Sequence, residues 1–218
     1  MAISRVGSAS TQGSATITIP THQSGDLILI VANRNNSTAA TIPSGWVAYS
    51  VSGTNVSSAI GWKLAESSSE VSGTWTNASV LHCAVYRASG ILAISTAVAS
   101  TGASSSTIIY PGLGNYRAGV LDNWYVATAI QLNSTNSLET APSGMANINV
   151  ESSSGVWKSV LHDTNASQLS NWASTNATLT TSATYASRVL QLIEFDGPAF
   201  GGGGGIFFRP GMSGGMSE

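Results

Sequence analysis

The sequence predicts an all-β fold, because its composition suits strands and turns and its apolar residues fall in short runs. Among 218 residues there are 36 Ser, 21 Thr and 23 Gly, whereas only 8% are charged and 42% are apolar. Thr favours strands because its branched Cβ is stiff, and Ser and Asn disfavour helices because they bond to nearby backbone. The apolar content is sufficient for a packed core, so a disordered chain is not expected.

Short apolar runs separated by turn residues support the same prediction. Each run is bounded by Ser, Gly, Asn, Thr or Pro, and no capped stretch shows sustained helical periodicity. This spacing is typical of a sandwich or barrel, and we expect a jelly-roll-like β-sandwich. The runs are at residues 15–19, 27–32, 46–51, 59–64, 80–86, 124–130, 148–150, 156–161 and 189–195.

One sandwich domain is expected over residues 1–197, built from two similar halves at about 14–97 and 106–197. Two short motifs recur about 99 residues apart: Ile42-Pro-Ser-Gly-Trp46 with Ala141-Pro-Ser-Gly-Met145, and Thr76-Asn-Ala-Ser79 with Thr175-Asn-Ala-Thr178. An internal duplication explains the recurrence of these motifs. Chance matching in a chain rich in Ser and Asn explains it as well, and the sequence leaves both explanations open.

A Gly-rich tail is expected over residues 198–218. Five consecutive glycines precede the apolar segment Ile206-Phe207-Phe208-Arg209. Because glycine loses the most entropy on ordering, we expect a flexible tether whose Ile206, Phe207, Phe208 and Arg209 make an assembly contact on a neighbouring protein. The alternative is that these apolar residues fold back as the last core strand.

Charge and cysteine usage exclude several partners and cofactors. The eight Lys and Arg are scattered and the net charge is -2, so neither nucleic acid nor an anionic membrane is an expected partner. The single cysteine, Cys83, excludes an intrachain disulfide and a Cys-based zinc site and fits a reducing cytoplasm. The sequence shows no export signal and no membrane-spanning run, and we expect no cofactor, no metal and no membrane insertion.

The ionisable residues do not form a pattern that predicts catalysis. His162 and Asp163 are adjacent, and a turn in which Asp163 bonds local backbone explains them best. His82 and Cys83 point to opposite faces of a predicted strand, so they are not a catalytic pair. Glu194 and Asp196 could share a strand face like a glycosidase pair, although a solvated strand end is the simpler interpretation. We therefore expect a protein that is not an enzyme.

Aromatic residues give a second class of candidate site. Tyr110, Tyr116 and Trp172 fall in or near Gly- and Asn-rich loops, where exposed rings could stack on sugars, so we expect them as possible glycan contacts. Other tryptophans alternate within the predicted strands and are expected in the core, namely Trp46, Trp62, Trp124 and Trp157.

A set of strand and turn motifs lies within residues 20–197, at residues 25–31, 43–46, 62–65, 73–79, 84–88, 110–111, 124–129, 141–144 and 161–163. Together these motifs resemble a family of tailed-bacteriophage virion structural proteins, associated with tail fibres, tail tips or head decoration. The resemblance implies a β-sandwich and supplies no catalytic residues.

The resemblance and the composition together give two functional expectations. The first is a non-catalytic virion component, made in the bacterial host cytoplasm, that contacts other virion proteins and forms a homo-oligomer, for which a trimer is favoured. The alternative is a carbohydrate-binding, lectin-like module that recognises a host surface glycan.

Overall fold

A computed structural model describes residues 2–114, 120–133 and 140–196. Within these ranges the chain forms ten strands and no helix. The strands build two five-stranded antiparallel sheets, so the predicted all-β class is confirmed. The predicted tail at 198–218, with Ile206, Phe207, Phe208 and Arg209, lies outside the described residues.

Each sheet takes its strands from one half of the chain. The first sheet contains β1 (Ser4–Gln12), β2 (Leu27–Arg34), β3 (Val47–Ser52), β4 (Ser57–Leu64) and β5 (Val80–Arg87). The second contains β6 (Ile91–Tyr110), β7 (Asp122–Leu132), β8 (Ala146–Ser153), β9 (Trp157–Asp163) and β10 (Thr175–Phe195). Only residues 88–90 connect the two sheets. The finer jelly-roll connectivity is not confirmed, because neither sheet takes a strand from the other half of the chain.

The two sheets have the same topology. The strand order is β1-β5-β2-β4-β3 in the first sheet and β6-β10-β7-β9-β8 in the second, which is the same order shifted by five strands. The repeated turns occupy matching places, since Gly45 precedes β3 and Gly144 precedes β8, each at φ 85°. A left-handed φ favours glycine, which explains why both turns keep this residue. A duplication would produce this arrangement.

The sheets stack face to face with pseudo-two-fold symmetry. β1 of the first sheet lies over β8 of the second, β2 lies over β7, and β3 lies over β6. The same operation that maps β1 onto β6 therefore maps β8 onto β3. The central core lies between the sheets and contains Leu29, Tyr86, Trp124 and Leu190.

Both sheets are also buried on their outer faces. Ile28, Ile30 and Trp75 belong to a cluster outside the first sheet, and Tyr125 and Val160 belong to a cluster outside the second. Because β2 and β7 are covered on both faces, each contains a continuous apolar run, residues 27–32 in β2 and residues 124–127 in β7, instead of alternating. Trp124 and Trp157 are buried, and Trp46 and Trp62 are half-buried against the clusters, as predicted for core tryptophans.

The hydrophobic pattern does not predict β1 or most of β6, and the strand that it predicts at residues 15–19 is wrong. β1 and most of β6 are rich in Ser, Thr, Ala and Gly, so they lack the apolar run that marks a strand. Residues 15–19 are not in a sheet. They are held instead by the bond from the Trp75 amide to the Ala15 carbonyl (2.7 Å) and by Ser72 Oγ, which accepts from the Ile17 amide (3.1 Å).

Candidate functional site

A bidentate ion pair closes one end of the first sheet. Arg87 Nε donates to Asp26 Oδ1 and a terminal nitrogen of Arg87 donates to Asp26 Oδ2, both at 2.7 Å. The Gln23 amide also donates to Asp26 Oδ2, at 2.8 Å. The Asp26 side chain is 1% exposed, whereas that of Arg87 is 37% exposed. The hydrogen bonds to Asp26 raise the pKa of Arg87. This pair joins the start of β2 to the end of β5, so its role is in the fold.

Replacing the guanidinium is expected to destabilise the protein. Arg87→Ala leaves Asp26 buried without its cation and should lower the free energy of unfolding by about 2 kcal/mol, below the usual range for a fully buried pair because Arg87 is partly solvated. Urea titration measures the change. Arg34→Ala is a matched control, because among the described residues Arg34 donates to the exposed Thr38 carbonyl and to no buried acid, and it should change the stability by less than about 0.5 kcal/mol. Equal effects from both variants would contradict this role.

A second carboxylate is buried between the sheets. Asp163 in β9 is fully buried, and its Oδ2 accepts from Arg5 at 2.9 Å and from the Tyr86 hydroxyl at 3.2 Å. Burial raises the pKa of Asp163, although Arg5 and Tyr86 act in the opposite direction. The triad joins β1 and β5 of one sheet to β9 of the other.

A buried polar seam crosses the centre of the sandwich. The Asn33 amide nitrogen donates to Thr128 Oγ1 at 3.0 Å and to Ser159 Oγ at 2.8 Å, and His82 Nε2 lies 2.8 Å from the same serine hydroxyl. Burial, with a smaller contribution from His162, lowers the pKa of His82 to about 3. The serine and histidine resemble a nucleophile and base by distance alone. Both residues are fully buried, so the seam holds the sheets in register and no substrate reaches it.

The predicted turn at His162 and Asp163 is wrong, although the Asp163 carboxylate does accept from the local backbone amide of Asn165. Both residues belong to β9 and are fully buried, with Asp163 facing the first sheet and His162 facing the outer cluster, where Tyr110 lies. Burial lowers the pKa of His162 to about 3. By contrast, the prediction for His82 and Cys83 is confirmed, since Cys83 packs in the outer cluster and burial raises the pKa of its thiol to about 12.

The predicted solvated end of β10 is wrong for Glu194 and confirmed for Asp196. Glu194 is fully buried, and its Oε1 accepts from the Gly90 amide at 2.7 Å and from the Ser89 hydroxyl at 3.1 Å. The carboxylate therefore caps the segment that connects the two sheets. Asp196 is exposed, so the two side chains do not form a catalytic pair.

Two of the three predicted glycan contacts are buried, which contradicts their expected exposure. Tyr110 is 0% exposed and Trp172 is 8% exposed. Both lie in the outer cluster of the second sheet, because residues 111–114 and 171–174 fold over that sheet and join through a bridge between Leu113 and Trp172. The Tyr110 hydroxyl lies 3.3 Å from His162 Nε2, and the Trp172 ring packs 5.6 Å from that of Tyr125. Tyr116 lies outside the described residues.

The two sides of the sandwich differ in the charge and pairing of their edge strands, and the sequence does not predict this difference. On one side, the edge strands β1 and β8 carry Arg5 and Glu151, and the pairing register shifts in each. They are also joined to each other, because Asn149 donates to the Ala9 carbonyl at 3.0 Å and Ser10 donates to Glu151 at 2.5 Å. We call this side the closed edge.

On the other side, which we call the open edge, β3 and β6 have neither charge nor proline. Among the described residues, β3 pairs only with β4 and β6 only with β10. β3 is regular over Val47–Ser52. The β6–β10 ladder has three register shifts, one at Ser95 and two beyond Gly102, and β6 is regular between them over residues 96–102. The open edge therefore presents two unpaired rows of backbone N–H and C=O groups. In the sequence, only the hydroxyl-rich composition of β3 and β6 marks these strands as unusual. Composition does not show which strands pair, so it does not predict that this edge is open.

Residues 2–114, 120–133 and 140–196 contain no group of three or more His, Cys, Asp and Glu side chains that could hold a metal ion. None of the elements in these ranges is a helix of the length and apolarity needed to cross a membrane. No family model, curated protein or solved structure matches the chain.

Proposed function

We propose that this protein is a non-catalytic structural component of a bacteriophage virion, contributing to the tail or fibre apparatus or decorating the particle surface. The proposal depends on a contrast between the interior and the open edge. In the interior, the ionisable groups hold parts of the fold together, whereas the open edge presents unpaired backbone groups that a second chain can contact. Uncharged, unpaired edge strands are templates for pairing with another protein chain.

The use of the ionisable residues supports a structural role. Asp26 and Asp163 are buried and held by partners from other strands, Glu194 is buried and held by the segment that connects the sheets, and His82 and His162 are buried as neutral rings. A catalytic acid or base must reach its substrate and have a pKa near the working pH. All five groups are buried, so none of them is placed to reach a substrate, and burial lowers the pKa of His82 and His162 to about 3, far from neutral pH.

The virion assignment is supported by the sequence motifs. The resemblance to tailed-phage virion proteins spans residues 20–197, and its turn motifs precede β3 and β8 at matching places in the two sheets. Low surface charge also suits a protein that works packed against neighbours.

The carbohydrate-binding alternative loses its best support in the described residues. Its aromatic platform was expected at Tyr110, Tyr116 and Trp172. Tyr110 and Trp172 are packed in the core, and Tyr116 lies outside the described residues. We therefore retain the structural role as the proposal.

Deletion of the gene from the phage that encodes the protein tests this function. The expected result is particles that are altered under negative stain, or that attach to the host less efficiently, with recovery when the protein is supplied from a plasmid. Complementation with Asp196→Asn should also succeed, because that exposed acid has no assigned structural role. Deletion particles with normal appearance and normal attachment would contradict the proposal.

A further inference from the structure

We propose that the open edge, formed by β3 and residues 96–102 of β6, pairs with the same edge of a second copy of this chain. The contact would join both sheets of one copy to both sheets of the other. It does not depend on the virion role, since it follows from the edge chemistry alone.

The closed edge shows that the fold does not require an edge to be left open. Pseudo-symmetry relates the two sides, with β1 equivalent to β6 and β8 equivalent to β3. Natural proteins protect edges with charge, bulges and covering contacts, and the closed edge has all three. The open edge lacks charge throughout, and its regular segments Val47–Ser52 and 96–102 lie side by side, with Gly53 next to Thr101.

A second copy fits this edge better than a single extended peptide. The two unpaired strands belong to different sheets, and stacked sheets lie about 10 Å apart. One peptide strand can fill only one of them. A second copy presents two edge strands at the same spacing, and because neither strand is charged, no like charges meet when each faces its own counterpart.

The symmetry of the contact follows from the ladders already present. Every strand pair within the two sheets is antiparallel. A two-fold axis normal to the sheets pairs β6 with β6 and β3 with β3 in the same antiparallel sense. Such an isologous contact closes at two copies, so this edge builds a dimer and does not build the trimer favoured from the sequence.

Sedimentation equilibrium of the full chain over a dilution series, with matched lysine variants, tests the pairing. Ser50→Lys changes an exposed side chain of β3, Thr96→Lys changes the regular part of β6, and Ser8→Lys changes an exposed side chain of the closed edge. The wild type should show a monomer–dimer equilibrium. Either open-edge variant should raise the dissociation constant by about tenfold or more, because the two lysines of the dimer lie near each other, whereas Ser8→Lys should leave it unchanged.

Amide hydrogen exchange at high and low protein concentration locates the contact. The expected result is slower exchange at high concentration for amides within Val47–Ser52 and within residues 96–102, with no change in β1 or β8. Unchanged circular dichroism and melting temperature of the variants would show that lost association is not lost folding. A wild type that stays monomeric, association that the open-edge lysines do not weaken, or protection located only elsewhere would each overturn the proposal. A monomer would leave the deletion test of the virion role unaffected.

Discussion

Acidification from about pH 7 to about pH 4.5 is expected to lower the free energy of unfolding by about 5 kcal/mol. The cause is the pair of buried histidines, His82 and His162, whose pKa values burial lowers from the ordinary 6.5 to about 3. Below pH 6.5 the unfolded chain binds a proton at each imidazole, while the folded protein does not. Folding stability is therefore complete above the ordinary histidine pKa and falls as the pH drops toward 3.

The size of this effect is comparable to the whole stability of a domain. Each histidine contributes about 1.4 kcal/mol per pH unit inside this window, and typical domains are stable by about 5 to 15 kcal/mol. Asp163 acts in the opposite sense, because its raised pKa favours proton uptake by the folded state on the acid side. One carboxyl offsets only part of the loss from two imidazoles, so the net result remains acid sensitivity.

Urea unfolding followed by tryptophan fluorescence at a series of pH values measures the effect. The double variant His82→Gln, His162→Gln is the comparison, because glutamine keeps a polar side chain at each position without a titrating group. Its stability should depend much less on pH across the same window, even if its stability at neutral pH is lower. Equal stability of the wild type at pH 7 and at pH 4.5 would show that these imidazoles are not held neutral.

Gly90→Ala is expected to destabilise the protein by about 3 kcal/mol, because the segment that connects the sheets has no room for a methyl group. A Cβ at Gly90 would lie 2.1 Å from the Phe195 carbonyl oxygen and 3.1 Å from Glu194 Cγ. The nearest atom belongs to backbone, so it cannot move away by rotating a side chain. The end of β10 would have to shift, which would stretch the bond from the Gly90 amide to Glu194.

Gly114→Ala is the matched control for this substitution. Among the described residues, no atom outside its chain neighbours lies within 4 Å of a Cβ built at Gly114, so we expect mainly the backbone entropy to change and the stability to change by less than about 1 kcal/mol. Thermal unfolding of both variants at neutral pH gives the comparison. A Gly90→Ala protein as stable as Gly114→Ala would contradict the tight closure between the halves.

The central strands of each sheet could be predicted from the sequence, whereas the edges could not. Strands such as β2 and β7 are buried on both faces, so their apolar runs stand out against a background rich in Ser and Thr. The edge strands β1 and β6 have few neighbours to pack against and use the same small polar residues as the loops. The hydrophobic pattern therefore predicts the central strands of this fold but does not predict its edge strands.

The burial of several polar side chains cannot be predicted from the sequence for a related reason. His162, Asp163 and Glu194 were expected near solvent because charged and polar residues usually are, and burial is tolerated here only because each meets a partner distant in sequence. Asp163 contacts Arg5 across 158 residues, and Glu194 contacts Gly90 across 104. No local spacing carries that information. The burial of Tyr110 and Trp172 is hard to predict for the same reason, because residues 111–114 and 171–174 are far apart in sequence and meet at the bridge between Leu113 and Trp172.

Quantitative mass spectrometry of purified virions tests the central claim most directly. If the protein is a structural component, it should be present in purified particles at a fixed copy number relative to the major capsid protein, through repeated density-gradient banding. Its absence from banded particles, with the protein found only in the lysate of infected cells, would contradict the account.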